Sequence, residues 1–463
     1  MRVRLAGVAV LAVLAAGCGG GGGSASSDAD SVVPRDALAF VTIDTDTSSG
    51  QVASALKILK KFPIEPRAER QLRASISQGG VNFNAIRKSA GSEVDVAVLT
   101  VNGQPTPVGF AKPSDEKAFD AQLDRNKGKH QKIDGWTVFA GKQAALDAVS
   151  NRKGDLSDDE TYQAAVKSLP DDAIARFYGS SAAQGVVLNE AAKQNLPASS
   201  LGTIGKAQWF TGALTSDSGA FKLEVHTKNA KTQVLSQTNP LASKIPSGAI
   251  VALALNGGGA TKTLPAATQQ QLSALGQQLG VDLPGLISVL NGPVIAYVRP
   301  GIPLPEVTIA ARPAQPANAS SAVGSLLARF ANGKTGVPTK VDGGTLNKLD
   351  LGPIALYYGV NDGQLVVTDS SNALAELNGS VGRLSGDDVF KEAKDGAGMT
   401  DSAQTFLFLD VKDALPALSG FAQLANQNLP PEVENNLRPL RSALLYGSSD
   451  SSVGSFVAYV KTS

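Results

Sequence analysis

This chain predicts an α+β fold: two tandem copies of an antiparallel sheet covered by helices, the product of an internal duplication. Three observations carry that reading. Segments of the first half recur in the same order in the second; apolar residues alternate over short runs joined by tight-turn sequences; and apolar stripes at helical spacing stand between those runs. The copies span residues 33–230 and 245–463, with a polar connection at 231–244 that holds Pro240. A solenoid needs three or more units, so a pair of similar domains is expected.

The first residues precede either copy and set the address. Arg2 and Arg4 make a positive start, and Leu5 to Ala16 form an apolar run ahead of the small residues Ala15, Ala16 and Gly17. That run falls short of the roughly 20 residues that span a bilayer, so residues 1–17 read as a signal peptide to be removed. Leu14-Ala15-Ala16-Gly17-Cys18 resembles the lipobox of bacterial lipoproteins, with Ala15 where leucine is commoner. The resemblance implies acylation of Cys18 and cleavage before it. Acyl chains worth about 0.8 kcal/mol per buried methylene would hold the protein on a membrane. Residues 18–32 are then the lipidated cysteine and a flexible Gly/Ser tether that begins with Gly19 to Gly23.

Within the copies, Pro34-Arg35-Asp36-Ala37-Leu38 matches Pro246-Ser247-Gly248-Ala249-Ile250, each opening an apolar strand. A helix comes next, with Val52, Leu56 and Leu59 inward and Lys57, Lys60 and Lys61 outward; Leu272, Leu275 and Leu279 repeat the spacing. Gly80-Val81-Asn82-Phe83 matches Gly280-Val281-Asp282-Leu283. Val94, Val96 and Val98 alternate as the inner face of a strand, and Val101-Asn102-Gly103-Gln104 reads as a hairpin turn and hence antiparallel pairing. Phe110-Ala111-Lys112-Pro113 matches Ala310-Ala311-Arg312-Pro313 before a helix. Gly135-Trp136-Thr137-Val138 with Ala145-Leu146 matches Gly363-Gln364-Leu365-Val366 with Ala373-Leu374, and the register runs on without a gap from Leu156-Ser157 to Leu384-Ser385 and from Tyr162 to Phe390. Ser157 to Glu160 has the form of a capping box, with Ser385 to Asp388 as its counterpart. The closing strands begin at Ser218-Gly219-Ala220-Phe221 and Val453-Gly454-Ser455-Phe456; in the first, Phe221, Leu223 and Val225 alternate with Lys222, Glu224 and His226.

Charge and composition exclude several classes. Lys plus Arg number 42 against 41 for Asp plus Glu, a formal charge of +1, which leaves no electrostatic footprint for nucleic acid. Cys18 is the one cysteine, so no internal disulfide is possible and the fold rests on burial. With His130 and His226 the only histidines, no metal site of the His/Cys type is expected. His130 reads as part of a basic loop and His226 as the polar face of a strand, both solvated. Gly257-Gly258-Gly259-Ala260-Thr261-Lys262 lacks the spacing of a phosphate-binding loop and reads as a flexible exit loop. Paired acids stand at Asp44 and Asp46, Asp158 and Asp159, and Asp387 and Asp388. The last two pairs fall where helix N-termini favour negative charge. The first could hold calcium through oxygens, but Asn256 and Gly257 replace it in the second copy, which favours a turn or cap. No catalytic, cofactor or metal residue is assigned, and an enzyme is not expected.

The Pro-x-x-Ala strand opening, the Gly-Trp-Thr-Val strand with Ala145-Leu146, and the acidic helix start at Ser157 together resemble the exported bacterial family known as domain of unknown function 3352. The resemblance covers most of the mature chain, concerns structural punctuation only, and implies no functional residues. The expected protein is an extracytoplasmic lipoprotein anchored to the bacterial cell membrane through Cys18, whose body is a non-catalytic binding or protein-interaction module of the envelope. Its expected partner is an envelope protein. The alternative is a carrier or sensor of an apolar, lipid-like molecule, which calls for an apolar cavity of several hundred Å³ by the usual size of ligand pockets; an unrecognised hydrolase or a metal site calls for three or more acidic side chains meeting in one cleft.

Overall fold

The computed structural model describes residues 28–63, 89–185, 207–229, 238–256, 292–301, 304–352, 354–401, 403, 405–424, 428–450 and 452–463. The chain divides into two compact units, Met1–Val234 with Asp450–Val457 and Thr462–Ser463, and Leu235–Ser449 with Ala458–Lys461. Each is a mixed α/β body with an antiparallel sheet and helices.

The first unit holds β1 (Ala39–Asp44), β2 (Glu93–Val101), β3 (Gln104–Ala111), β4 (Lys129–Ile133), β5 (Trp136–Ala140), β6 (Ala175–Ser180), β7 (Ala207–Asp217) and β8 (Ala220–Asn229). Its antiparallel ladder runs β4-β5-β3-β2-β1-β6-β7-β8. Three connections are two-residue turns with both residues at positive φ: Asn102-Gly103, Asp134-Gly135 and Ser218-Gly219. That geometry matches the right-handed twist of paired strands and explains the choice of Asn, Asp and Gly there. The hairpin expected at Asn102-Gly103 is therefore present, with Val101 opposite Gln104.

Among the described residues four helices flank this sheet: α1 (Gly50–Leu59), α2 (Glu116–Arg125), α3 (Gln143–Ser150) and α4 (Glu160–Val166). The main core gathers Phe40, Ala97, Leu99, Val108, Phe110 and Val138 from one sheet face with Leu146, Val149 and Tyr162 from α3 and α4. On the other face Phe119 and Leu123 of α2 pack with Val94 and Phe139. This corrects the expected inner face of β2. The fully buried alternation falls on Asp95, Ala97, Leu99 and Val101, while Val94, Val96 and Val98 are half-buried. Both faces carry helices, so both are apolar, and periodicity alone does not tell which is deeper. In α1 the buried stripe is Val52, Ala55 and Ile58, and Leu59 is exposed, which displaces the expected Leu56/Leu59 face by one residue.

The capping box is also corrected. Leu156–Asp158 is a 3-10 turn, and the N-cap of α4 is Asp159, whose carboxylate accepts the Tyr162 N–H at 2.8 Å. The expected tether is folded from Asp28 on: Asp28–Ser31 is a 3-10 turn, and Ala29, Val32 and Val33 belong to the main core.

The second unit holds β9 (Val251–Asn256), β10 (Pro293–Arg299), β11 (Glu306–Ala311), β12 (Val337–Val341), β13 (Gly344–Asp350), β14 (Ala355–Asn361), β15 (Gln364–Thr368), β16 (Thr405–Asp410) and β17 (Leu440–Asp450). Its antiparallel ladder runs β12-β13-β14-β15-β11-β10-β9-β16-β17. The closing strand β18 (Val453–Thr462) contributes residues to each unit. The helices are α5 (Pro316–Phe330), α6 (Ala373–Leu377), α7 (Asp388–Ala397), α8 (Val411–Leu424) and α9 (Pro431–Leu437). On one face Ala319 and Val323 of α5 pack on Val294, Ala311, Tyr358 and Leu365. The later part of the expected connection is not a free linker: Asn239 and Leu241 are buried, and Asn239 Nδ2 donates to the Leu255 and Val294 carbonyls at 2.7 and 2.9 Å.

Among the described residues no helix is long and apolar enough to cross a membrane. The readings placed on Cys18, on Gly80–Phe83 and Gly280–Leu283, on Leu272, Leu275 and Leu279, and on Gly257–Lys262 lie outside the described residues.

Candidate functional site

A cleft of about 420 Å³ opens in the second unit where the start of β9, the N-terminus of α7 and the end of β16 meet. Local chemistry fixes each wall. Pro246 pairs with Arg383 in an isolated bridge, and the Ser247 N–H donates to the Gly382 carbonyl at 2.9 Å, which clamps the chain leading into β9. Gly248 then takes φ +75°, a left-handed conformation that glycine adopts without strain. Its N–H donates to Asp387 Oδ2 at 2.7 Å. Asp387 is the N-cap of α7, but its carboxylate reaches across the cleft mouth and makes no side-chain bond to its own helix.

The floor is aromatic. Phe390, on the first turn of α7, stands edge-on to Phe408 of β16 with centroids 5.1 Å apart and planes at 89°, the favoured edge-to-face arrangement. Phe408 and Asp410 lie two residues apart on one strand and so share a face. Asp410 is 8% exposed. Its Oδ1 accepts the Asp413 N–H at 3.2 Å, which ties the strand end to the start of α8. Burial pushes the Asp410 carboxyl above its ordinary range, opposed first by the hydrogen bond from the Asp413 N–H and then by Arg441, while the Asp413 charge adds to the rise. Asp387, Asp388, Asp410 and Asp413 all line the cleft, and no lysine or arginine does among the described residues. The described residues include no group of three or more His, Cys, Asp or Glu spaced to hold a metal ion. The cleft therefore meets the condition set by the hydrolase reading, since more than three acidic side chains line it beside two aromatic rings, although Asp387 and Asp410 each already accept a backbone N–H.

A smaller groove of about 130 Å³ lies in the first unit beside Asp30, Phe40, Thr42, Tyr162, Arg176 and Tyr178. Burial raises the Asp30 carboxyl, opposed chiefly by a hydrogen bond with Tyr162; burial likewise lifts the Tyr162 hydroxyl far above its ordinary value and pushes Tyr178 up to about 12.

The remaining residues singled out by sequence have structural partners. Asp44 and Asp46 are buried and serve the turn into α1: Asp44 Oδ1 accepts the Asp46 N–H, and Asp46 Oδ1 accepts the Ser48 N–H and hydroxyl, each at 2.7 Å. Asp158 is exposed and pairs with Arg35 at 3.9 Å. His130 is not in a loop but on β4, within 3.5 Å of Asp120 and 3.2 Å of Asp124 from α2. His226 is half-buried, with Nδ1 2.9 Å from Ser455 Oγ, and burial lowers its pKa against the opposing pull of Glu224. It is thus less solvated than its alternation suggests.

The sequence alone marks Asp387 and Asp388 as helix-start acids and gives no prominence to Asp410 and Asp413. The signal that distinguishes the latter is Asp410-x-x-Asp413 at a strand-to-helix junction, which places the second N–H within reach of the first carboxylate.

No family model matches this chain, and no curated protein does. Two solved structures of TP0453, crystal forms IV and I, are 15% and 13% identical, with TM-scores of 0.24 and 0.26. They cover 46% and 45% of this chain and 77% and 82% of their own. At those scores the likeness says nothing of this chain's fold or function.

Proposed function

We propose that this protein is an exported lipoprotein, anchored to the bacterial cell membrane through Cys18, that works by binding an envelope protein rather than by catalysis. The observation that supports this most is how the cleft carboxylates are used. Asp387 and Asp410 each accept a backbone N–H, so they are fixed as shape and charge, and the partner that fits brings positive charge with an apolar body. The carrier of an apolar molecule is the second reading. It draws on Phe390 and Phe408, but the same cleft is rimmed by four aspartates, which is costly surroundings for a lipid tail.

We further infer that the two units descend from one duplicated domain of the kind seen in the domain of unknown function 3352 family. What supports this is the parallel order of pairings. β1, β2, β3, β5, β6 and β7 have the same neighbours as β9, β10, β11, β15, β16 and β17, apart from a hairpin, β12–β13, inserted before β14. The bridges Pro34–Asp155 and Pro246–Arg383 occupy matching places.

Native mass spectrometry of the body from Ser27 to Ser463, purified from its host, separates the two binding readings. A clean apo mass favours the protein-interaction module. A stoichiometric lipid-like adduct overturns it in favour of the carrier.

A further inference from the structure

We propose that the end of the first unit carrying Asp28, Lys112 and Asp134 faces the lipid bilayer, held there by the short reach of the anchored N-terminus; this rests on the lipid-anchor reading. The chain becomes part of the folded body almost at once. Ala29 and Val33 are fully buried and Val32 nearly so, in one core with Phe40, Leu146 and Leu156. The Val32 and Val33 N–H groups donate to the Ala29 carbonyl at 2.9 and 3.0 Å, and the Leu156 N–H donates to Val33 at 2.8 Å. From residue 29 onward the chain cannot pay out as tether.

Between Cys18 and Asp28 only nine residues intervene. At 3.3–3.6 Å per residue, Asp28 stays within about 35 Å of the acylated sulfur whatever path those residues take. A tether ending at 32 would add four residues and about 14 Å of reach.

Asp28 marks one end of the unit. Its Oδ2 lies 3.6 Å from Lys112 Nζ, and Lys112 stands over the Trp136 ring at 4.4 Å. Arg152 joins the same end, bonding the Ser31 carbonyl at 3.4 Å and Asp134 at 2.7 Å. Lys112 follows the last residue of β3, whose other end is the Asn102-Gly103 turn. Eight residues of strand at about 3.3 Å each put that turn roughly 25 Å away. Three cations at the anchored end are paired: Lys112 with Asp28, Arg35 with Asp158, and Arg152 with Asp134 and Asp155. Such a face is neither strongly drawn to nor repelled by anionic headgroups, so the covalent lipid supplies the attachment.

The test uses the fact that Cys18 is the only cysteine, which acylation blocks. Ser114→Cys, near Lys112, and Gln104→Cys, at the far turn, are exposed positions for a thiol-reactive fluorophore. The full-length lipidated protein is reconstituted in vesicles containing headgroup spin-labelled phospholipid, a short-range quencher. The Ser114 probe should lose at least about twice the signal of the Gln104 probe, given the roughly 25 Å between them. Inserting about 30 Gly/Ser residues after Gly23 raises the reach about fourfold and should erase the difference. Equal quenching, or stronger quenching at Gln104, overturns the proposal while leaving the anchor intact. A purified protein whose intact mass lacks acyl chains overturns both.

Discussion

Asp410→Asn should make the protein more stable at neutral pH. Asp410 closes β16 at 8% exposure, and its Oδ1 accepts the Asp413 N–H at 3.2 Å. Burial, opposed first by the Asp413 N–H bond and then by Arg441 and reinforced by the Asp413 charge, holds its folded pKa above the ordinary 3.8. Linkage gives the sign: a carboxyl raised on folding adds stability below its unfolded pKa, loses that contribution as pH rises through the folded pKa, and above it leaves a buried charge that destabilises. Asparagine has the same shape and keeps an oxygen for Asp413, so the substitution removes the charge alone. The expected gain at pH 7 is about 0.5–2 kcal/mol. For a unit of this size each kcal/mol corresponds to about 2–4 °C. Asp410→Ala also discards the acceptor and should fall below Asn by about 1 kcal/mol. Differential scanning calorimetry at pH 7 and pH 4 reads both, and the Asn advantage should shrink at the lower pH. If Asn destabilises at pH 7 as much as Ala, the charge itself supports the fold and the buried-charge account of Asp410 is refuted.

Three further outcomes are expected. Asp159→Ala removes the N-cap of α4 and should cost about 1 kcal/mol by urea unfolding, whereas Ser157→Ala should change little; the reverse order would restore the capping box. A Cβ on Gly179 would collide with the Phe210 ring, so Gly179→Ala should cost about 1–3 kcal/mol. Adding Phe210→Leu should recover part of that loss, and strict additivity would mean the ring is not the obstacle. Cys18→Ser should abolish acylation and move the protein out of the membrane fraction; continued retention would refute the anchor.

Much of the architecture is legible in the sequence because its signals are local. Asn-Gly between alternating runs dictates a two-residue hairpin, and Pro34 and Pro246 mark the strand openings. What the sequence hides depends on the third dimension. Val94, Val96 and Val98 and their neighbours Ala97 and Leu99 are equally apolar, so only the packing of α3 and α4 decides which set is core. Ser157 and Asp159 are both good caps, and the 3-10 turn at Leu156–Asp158 hands the role to the later one. The small, polar residues around Asp28 look like tether, although Ala29 and Val33 are core. The cleft is hidden for another reason: Asp387 and Asp410 lie 23 positions apart, and only the neighbouring placement of α7 and β16 brings them to one opening.

We propose that the second-unit cleft is where the envelope protein binds. The most direct test places a photo-crosslinking residue at Val389, which lines the cleft, and another at Gln104 in the first unit, in cells producing the full-length protein. A discrete protein adduct from Val389 is expected, lost when Asp410 and Asp413 are both changed to asparagine, substitutions that keep the side-chain shape and, at 410, an oxygen for the Asp413 N–H. No adduct from Val389, or one indifferent to those two carboxylates, would contradict it.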